Sequence, residues 1–110
     1  MRWANTKPVP GEIRMIDSGI VGKVRPALVL YYPNDDSARA LAVVAPLTSQ
    51  IRNAEGEVYI GKPKFLPKES AVNLQGIGSF DKRFVGFLYG RLPEETFAEV
   101  KTAIRKFLNL

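Results

Sequence analysis

The sequence contains no cysteine and no histidine among its 110 residues. Without cysteine there is no disulfide, no thiolate nucleophile and no Cys-based metal site, an absence that suits a cytosolic protein. Without histidine the commonest general base is gone, and with it any Ser-His-Asp triad and any zinc site of the usual nitrogen and sulfur ligands. An enzyme built from this chain must therefore work with Arg, Lys, Tyr, Ser, Thr and carboxylates. Asp35-Asp36 is an adjacent acidic pair, but it sits in a turn-like stretch. The several converging carboxylates that a two-metal nuclease needs cannot be assembled around it, so no metal and no cofactor are expected. No run of about 18 apolar residues occurs, and the opening "MRWANTKPVP" lacks the apolar core of a secretion signal. The expected location is cytoplasmic.

What is present fits one small globular domain spanning residues 1–110, with 45% hydrophobic and 25% charged residues. Sixteen Lys and Arg against eleven Asp and Glu give a net charge of +5. Such a surplus in so short a chain favours polyanionic partners, nucleic acid ahead of an anionic membrane.

Along the chain, "EIRMID" (12–17) alternates as a strand with Ile13 and Met15 on one face. "SGIVGKV" reads as a glycine-containing loop, and "PALVLYY" (26–32) as a strand apolar on both faces, hence central. "ALAVVAPLT" (40–48) is another apolar strand, with Pro46 marking an edge or bulge near its end. A short strand "VYI" (58–60) precedes "GKPKFLPKE", and "SAVNLQGIGSF" (70–80) and "FVGFLYGRL" (84–92) supply two more strands bent at glycines. The period then changes. Pro93 fits a first helical position, Glu94 and Glu95 complement the positive end of the helix, and Phe97, Val100, Ile104, Phe107 and Leu108 recur at helical spacing. The expected fold is mainly β (α+β): a bent antiparallel sheet, closing into a small barrel, with a C-terminal helix packed on it.

Three stretches carry candidate chemistry. In "KVRPAL", Pro26 holds Arg25 extended as the strand begins, and the guanidinium offers five donors in a fork that matches a phosphate. The same arginine also reads as a solvated charge marking a strand start. In "APLTSQ", Thr48, Ser49 and Gln50 place three hydrogen-bonding side chains at a strand end. They either bond their own backbone or project into a shared cleft. In "SAVNLQGIGSFDKR", Asn73 and Gln75 share a face at period two, as a base-reading pair would, while Asp81-Lys82-Arg83 reads as a charged turn. Lys62, Lys64 and Lys68 around Phe65 read either as a phosphate-tracking stretch with a stacking ring or as solvated lysines beside a core phenylalanine.

These stretches in this order resemble the MazF/PemK family of toxin endoribonucleases from toxin–antitoxin pairs. The resemblance is carried by "PGEI" (10–13), "RPALVL" (25–30), "APLTS" (45–49), "SAVNLQGIGSFDKR" (70–83) and "VGFLYGRLPEETFAEVKTAIRKFLNL" (85–110). It implies an SH3-like β-barrel, a homodimer, and metal-independent cleavage of single-stranded RNA to a 2′,3′-cyclic phosphate and a 5′-hydroxyl. It also implies a cognate antitoxin with an acidic, flexible tail. Arg25 and Thr48 fall on the two positions usually taken as catalytic in the family, and Gln75 on the glutamine that follows the core serine strand. Lys23, Ser49, Gln50 and Asn73 join Gln75 as the expected RNA-binding residues. The chain departs from the pattern where the family often has a tryptophan, which is Arg14 here, in a loop before Arg-Pro that lacks Glu-Gln, and at Leu74, where an acid is frequent. The alternative is a barrel of the same kind that is non-catalytic or directed at gyrase in the CcdB manner, acting by protein or nucleic-acid binding.

Overall fold

The computed structural model describes residues 6–17, 24–34 and 40–110. Lys23, the rest of the loop at 18–23, and Asp35-Asp36 lie outside the described residues. Among the described residues seven strands run in chain order: β1 (Glu12–Asp17), β2 (Val24–Tyr31), β3 (Leu41–Thr48), β4 (Glu57–Gly61), β5 (Ser70–Asn73), β6 (Gly78–Asp81) and β7 (Val85–Arg91). The helix α1 (Glu94–Phe107) follows. All pairings are antiparallel, in the order β4-β5-β3-β2-β1-β7, with β6 also on β3. Register shifts in the β1–β7, β2–β3 and β4–β5 pairs bend this sheet into a small SH3-like barrel. Among the described residues, no helix is long and apolar enough to cross a membrane.

β3 organises the sheet. One edge pairs with β2 from Val43 to Pro46. The other edge is divided: Leu41–Val44 pair with β6, and Leu47 and Thr48 with β5. Pro46 falls between the two partners on that edge, at the point where β3 passes from β6 to β5. The apolar run of β2 puts Ala27, Leu28 and Val29 at 2% exposure or less, as expected of a central strand. Ile13, Leu28, Ala45 and Val72 form the barrel core, and α1 covers it with Val100, Phe97, Ile104 and Phe107.

Four expectations are corrected. "SAVNLQGIGSF" is not one strand: the chain leaves β5 at Asn73 and makes a 3-10 turn at Leu74–Gly76 before β6. Asn73 Oδ1 accepts the Gln75 N–H at 3.1 Å, and this cap ends the strand. Asn73 and Gln75 therefore do not share a strand face. Pro93 caps α1 from outside at φ −55°, ψ 150°, instead of forming its first residue. Leu108, expected on the apolar stripe, lies beyond the helix and is half exposed, because Asn109 turns left-handed at φ 60°.

The fourth correction concerns β1. Ile13 is fully buried and Met15 only partly, while Arg14 between them has no exposed surface. Register shifts against β7 on either side of Arg14 break the simple alternation. Its guanidinium is fully engaged: Nε donates to Glu12 Oε1 at 2.9 Å, Nη1 to the Gly86 carbonyl at 3.1 Å and Nη2 to Thr6 Oγ1 at 2.8 Å. Glu12 Oε1 also accepts the Val9 N–H at 2.9 Å, so one buried ion pair fastens the leader segment to β1 and β7. Gly11 precedes it at φ 98°, a left-handed conformation that favours glycine, and the Phe97 ring lies 3.1 Å from where a Cβ would stand.

Candidate functional site

Arg25 stands opposite Ile16 near the start of β2, with Pro26 opposite Met15. The exposed guanidinium leans over a cleft of about 750 Å³. Thr48, Ser49 and Gln50 enter the cleft from the end of β3, and Asn73 from the end of β5. Pro26, Pro46, Leu66 and Pro67 give it apolar walls. The segment between β4 and β5 adds Lys68, and β5 adds Ser70.

Both local readings of Thr48 hold together. Its Oγ1 accepts the Gln50 N–H at 3.1 Å, closing a hydroxyl turn at the strand end. The hydroxyl in turn donates to the Gln50 carbonyl across a long 3.4 Å, a weak bond that a better-placed acceptor in the cleft would displace. Two cations, three hydroxyls and two amides thus converge, and none of the described residues lining this cleft is a carboxylate. Such a lining suits an anion with several oxygens, such as a phosphodiester.

Five of the seven residues singled out in the sequence, Arg25, Thr48, Ser49, Gln50 and Asn73, share this cleft. Gln75 lies next door, in a polar pocket of about 300 Å³ that also takes in Thr48, Gln50 and Asn73. Lys23 is outside the described residues. Arg52 carries no signal in the sequence, and Lys68 reads there as either phosphate-tracking or merely solvated. Lys68 lines the cleft and Arg52 the adjoining pocket, whereas Lys62 and Lys64 line neither. Phe65 is a partly buried ring that packs against the barrel core and lies close over the bare backbone of Gly90. Among the described residues, no three His, Cys, Asp or Glu side chains approach closely enough to hold a metal ion.

A small bent barrel with one helix and a cationic, hydroxyl-lined cleft at its strand ends is the class of protein that fold and site define. Residues 3–108 match the model of the PemK-like, MazF-like toxin family of type II toxin–antitoxin systems, and the chain belongs to that family. Solved structures agree on the fold. MazE–MazF from Deinococcus radiodurans superposes with a TM-score of 0.76 at 24% identity, covering 96% of this chain and 99% of that one. An endoribonuclease in complex with its cognate antitoxin, from a mycobacterial species, gives a TM-score of 0.75 at 24% identity, covering 94% and 96%. MazF alone from D. radiodurans gives 0.75 at 22% identity, covering 96% and 100%. No curated protein sequence matches the chain.

Proposed function

We propose that this toxin is an endoribonuclease that cleaves single-stranded RNA within a short sequence, without a metal ion, and acts through a single domain spanning residues 1–110. The observation that carries the reading is the placement of Arg25 and Thr48, far apart in sequence, over one cleft whose described lining holds no acid. RNA brings its own nucleophile: the 2′-oxygen attacks the adjacent phosphorus, the bond to the 5′-oxygen breaks, and that oxygen leaves with a proton. The products are a 2′,3′-cyclic phosphate and a 5′-hydroxyl. The protein's part is to hold the 2′-oxygen in line and to stabilise the charge that develops on the phosphorane. Arg25 presents its fork to the non-bridging oxygens, and Thr48 exchanges its weak bond to the Gln50 carbonyl for one to the same phosphate. Lys68 takes a flanking phosphate, and Ser49, Gln50, Asn73 and Gln75 bind the strand around it.

Partners follow from the same surfaces. The acidic tail of a cognate antitoxin would compete with RNA for Arg25 and Lys68. A second copy of the chain would cover the edge of β7, which among the described residues pairs with β1 alone and borders an apolar groove of about 580 Å³ formed by Phe65, Phe87, Leu88 and Tyr89. The structures of an endoribonuclease with its antitoxin and of MazE–MazF support the antitoxin reading.

The test is incubation of purified protein with a long single-stranded RNA in excess EDTA, followed by mapping of new 5′ ends. Discrete cuts with 5′-hydroxyl ends are expected. Arg25→Ala should slow them by about 10²–10³-fold, the loss typical when one charge-stabilising donor is removed. Folded protein that leaves the RNA intact would overturn the enzyme reading in favour of a binding role.

A further inference from the structure

Two rings of α1 each lie close over a glycine in the left-handed conformation. Near the start of the helix, Phe97 Cδ2 is 3.1 Å from where a Cβ of Gly11 would stand. At its last residue, Phe107 Cε1 is 3.0 Å from the same point on Gly56, and Gln75 Cγ is 3.3 Å from it. Gly11 and Gly56 have φ values of 98° and 88°, which other residues rarely adopt. Gly56 closes the loop 49–56 between β3 and β4, whose first residues, Ser49 and Gln50, line the cleft. This loop is tied to the 3-10 turn: the Leu74 N–H donates to the Gly56 carbonyl at 2.7 Å and Gln75 Nε2 to the Glu55 carbonyl at 3.3 Å. Within it, the Arg52 N–H donates to Glu57 Oε1 at 2.9 Å and the Glu57 N–H to the Ala54 carbonyl at 3.1 Å. Behind the loop, a cavity of about 440 Å³ opens toward Ala103, Lys106 and Phe107 of α1. The helix end itself is secured, since the Leu108 N–H donates to the Ile104 carbonyl at 2.9 Å and the Asn109 N–H to the Lys106 carbonyl at 3.2 Å.

We propose that Phe107 is a positioning residue: its ring clamps the loop and the 3-10 turn at Gly56, and through them sets the strand-binding side chains Gln50 and Gln75. The effect on RNA rests on the endoribonuclease reading; the clamp itself does not. A ring in close contact transmits position because even a small gap forfeits much of the contact energy. Removing the ring joins its space to the cavity already behind the loop, so the loop gains room to shift and loses what it rests on. Phe97 supplies an internal comparison. It is the same residue type on the same helix against an equivalent glycine, but Gly11 bonds to Val29 and Leu92 and lines neither the cleft nor the pocket beside it.

The experiment compares wild type with Phe107→Ala, Phe107→Leu and Phe97→Ala, with folding checked by circular dichroism. Hydrogen exchange is read first, on the protein without RNA. Exchange of the Leu74 amide is expected to speed up in Phe107→Ala relative to the amides of β2, and to return toward wild type in Phe107→Leu. In Phe97→Ala it should change only as far as global stability falls. On single-stranded RNA, Phe107→Ala should raise KM by about 10–10²-fold, the scale of a positioning error, with kcat nearly kept because Arg25 and Thr48 remain. Leu74 exchange that follows global stability in both alanine variants overturns the clamp. Loosened exchange with an unchanged KM, or an equal rise of KM in Phe97→Ala, overturns the positioning role. Wild-type protein that neither cuts nor binds RNA counts against the endoribonuclease reading, whereas loosening at Leu74 confined to Phe107→Ala sustains the clamp even then.

Discussion

At the scale of single residues, Arg14 and Arg25 show what sequence can and cannot reveal. Arg25 was legible because its determinants are local: a proline fixes the backbone beside it and an apolar strand begins at once. Thr48 was legible for a similar reason, as a hydroxyl at a strand end. Arg14 was not, since its acceptors come from Glu12, from a carbonyl on β7 and from the leader. Where the family pattern often places tryptophan, this chain fills the same buried position with a charge and neutralises it with Glu12. Arg14→Ala strands that carboxylate in the interior and should cost about 3–5 kcal/mol, read as a lowered urea midpoint. Replacing both partners, with Arg14→Met and Glu12→Leu, is expected to cost less than Arg14→Ala alone. A cost in the double variant equal to the sum of the two single variants would contradict the pairing. Arg52 was illegible because a lone cation on a loop carries no pattern; Lys68 stood in a visible run with Lys62 and Lys64, and only the fold shows which of the three reaches the cleft.

Among the elements, β-runs and the helical stripe were readable from periodicity, and the breaks between them were not. The split of residues 70–80 depends on the Asn73 cap and on two separate partners along one edge of β3, which no local pattern encodes. On β7, Gly90 leaves its backbone bare under the Phe65 ring, and any Cβ there would intrude on that ring. Gly90→Ala should destabilise by about 1–3 kcal/mol through this overpacking, measured as a melting shift, and a neutral result would contradict the packing. Between β6 and β7, the charged turn forms as expected. The Asp81 carboxylate accepts the Arg83 Nη2–H at 2.7 Å, Nε–H at 3.0 Å and backbone N–H at 2.9 Å. The hydrogen bond from the Arg83 side chain, reinforced by that backbone N–H, pulls the Asp81 pKa down from 3.8 to about 2. Its folded value lies below its unfolded one, so its contribution is complete above about pH 4 and lost as pH falls toward 2. Asp81→Asn should therefore flatten the acid limb of the stability curve in that window, lowering stability slightly at neutral pH and converging on wild type toward pH 2, read as urea midpoints across the pH range.

For the whole molecule, the net charge of +5 supplies attraction to any polyanion, the proposed RNA substrate included, and the cleft would supply direction. Lys68→Ala is expected to weaken RNA binding alike for all sequences and to reduce the slope of log affinity against log salt by about one. A slope identical to wild type would remove Lys68 from the phosphate contacts. The division of one edge of β3 between β5 and β6 has a consequence for how this toxin dies. Thr48 ends the strand that most of the sheet depends on, so no separate patch holds the cleft that can melt while the rest survives. Inactivation by heat should coincide with global melting in a single transition, and a protease should find the toxin either intact and armed or wholly unfolded. A cell disposing of it has no half-measure.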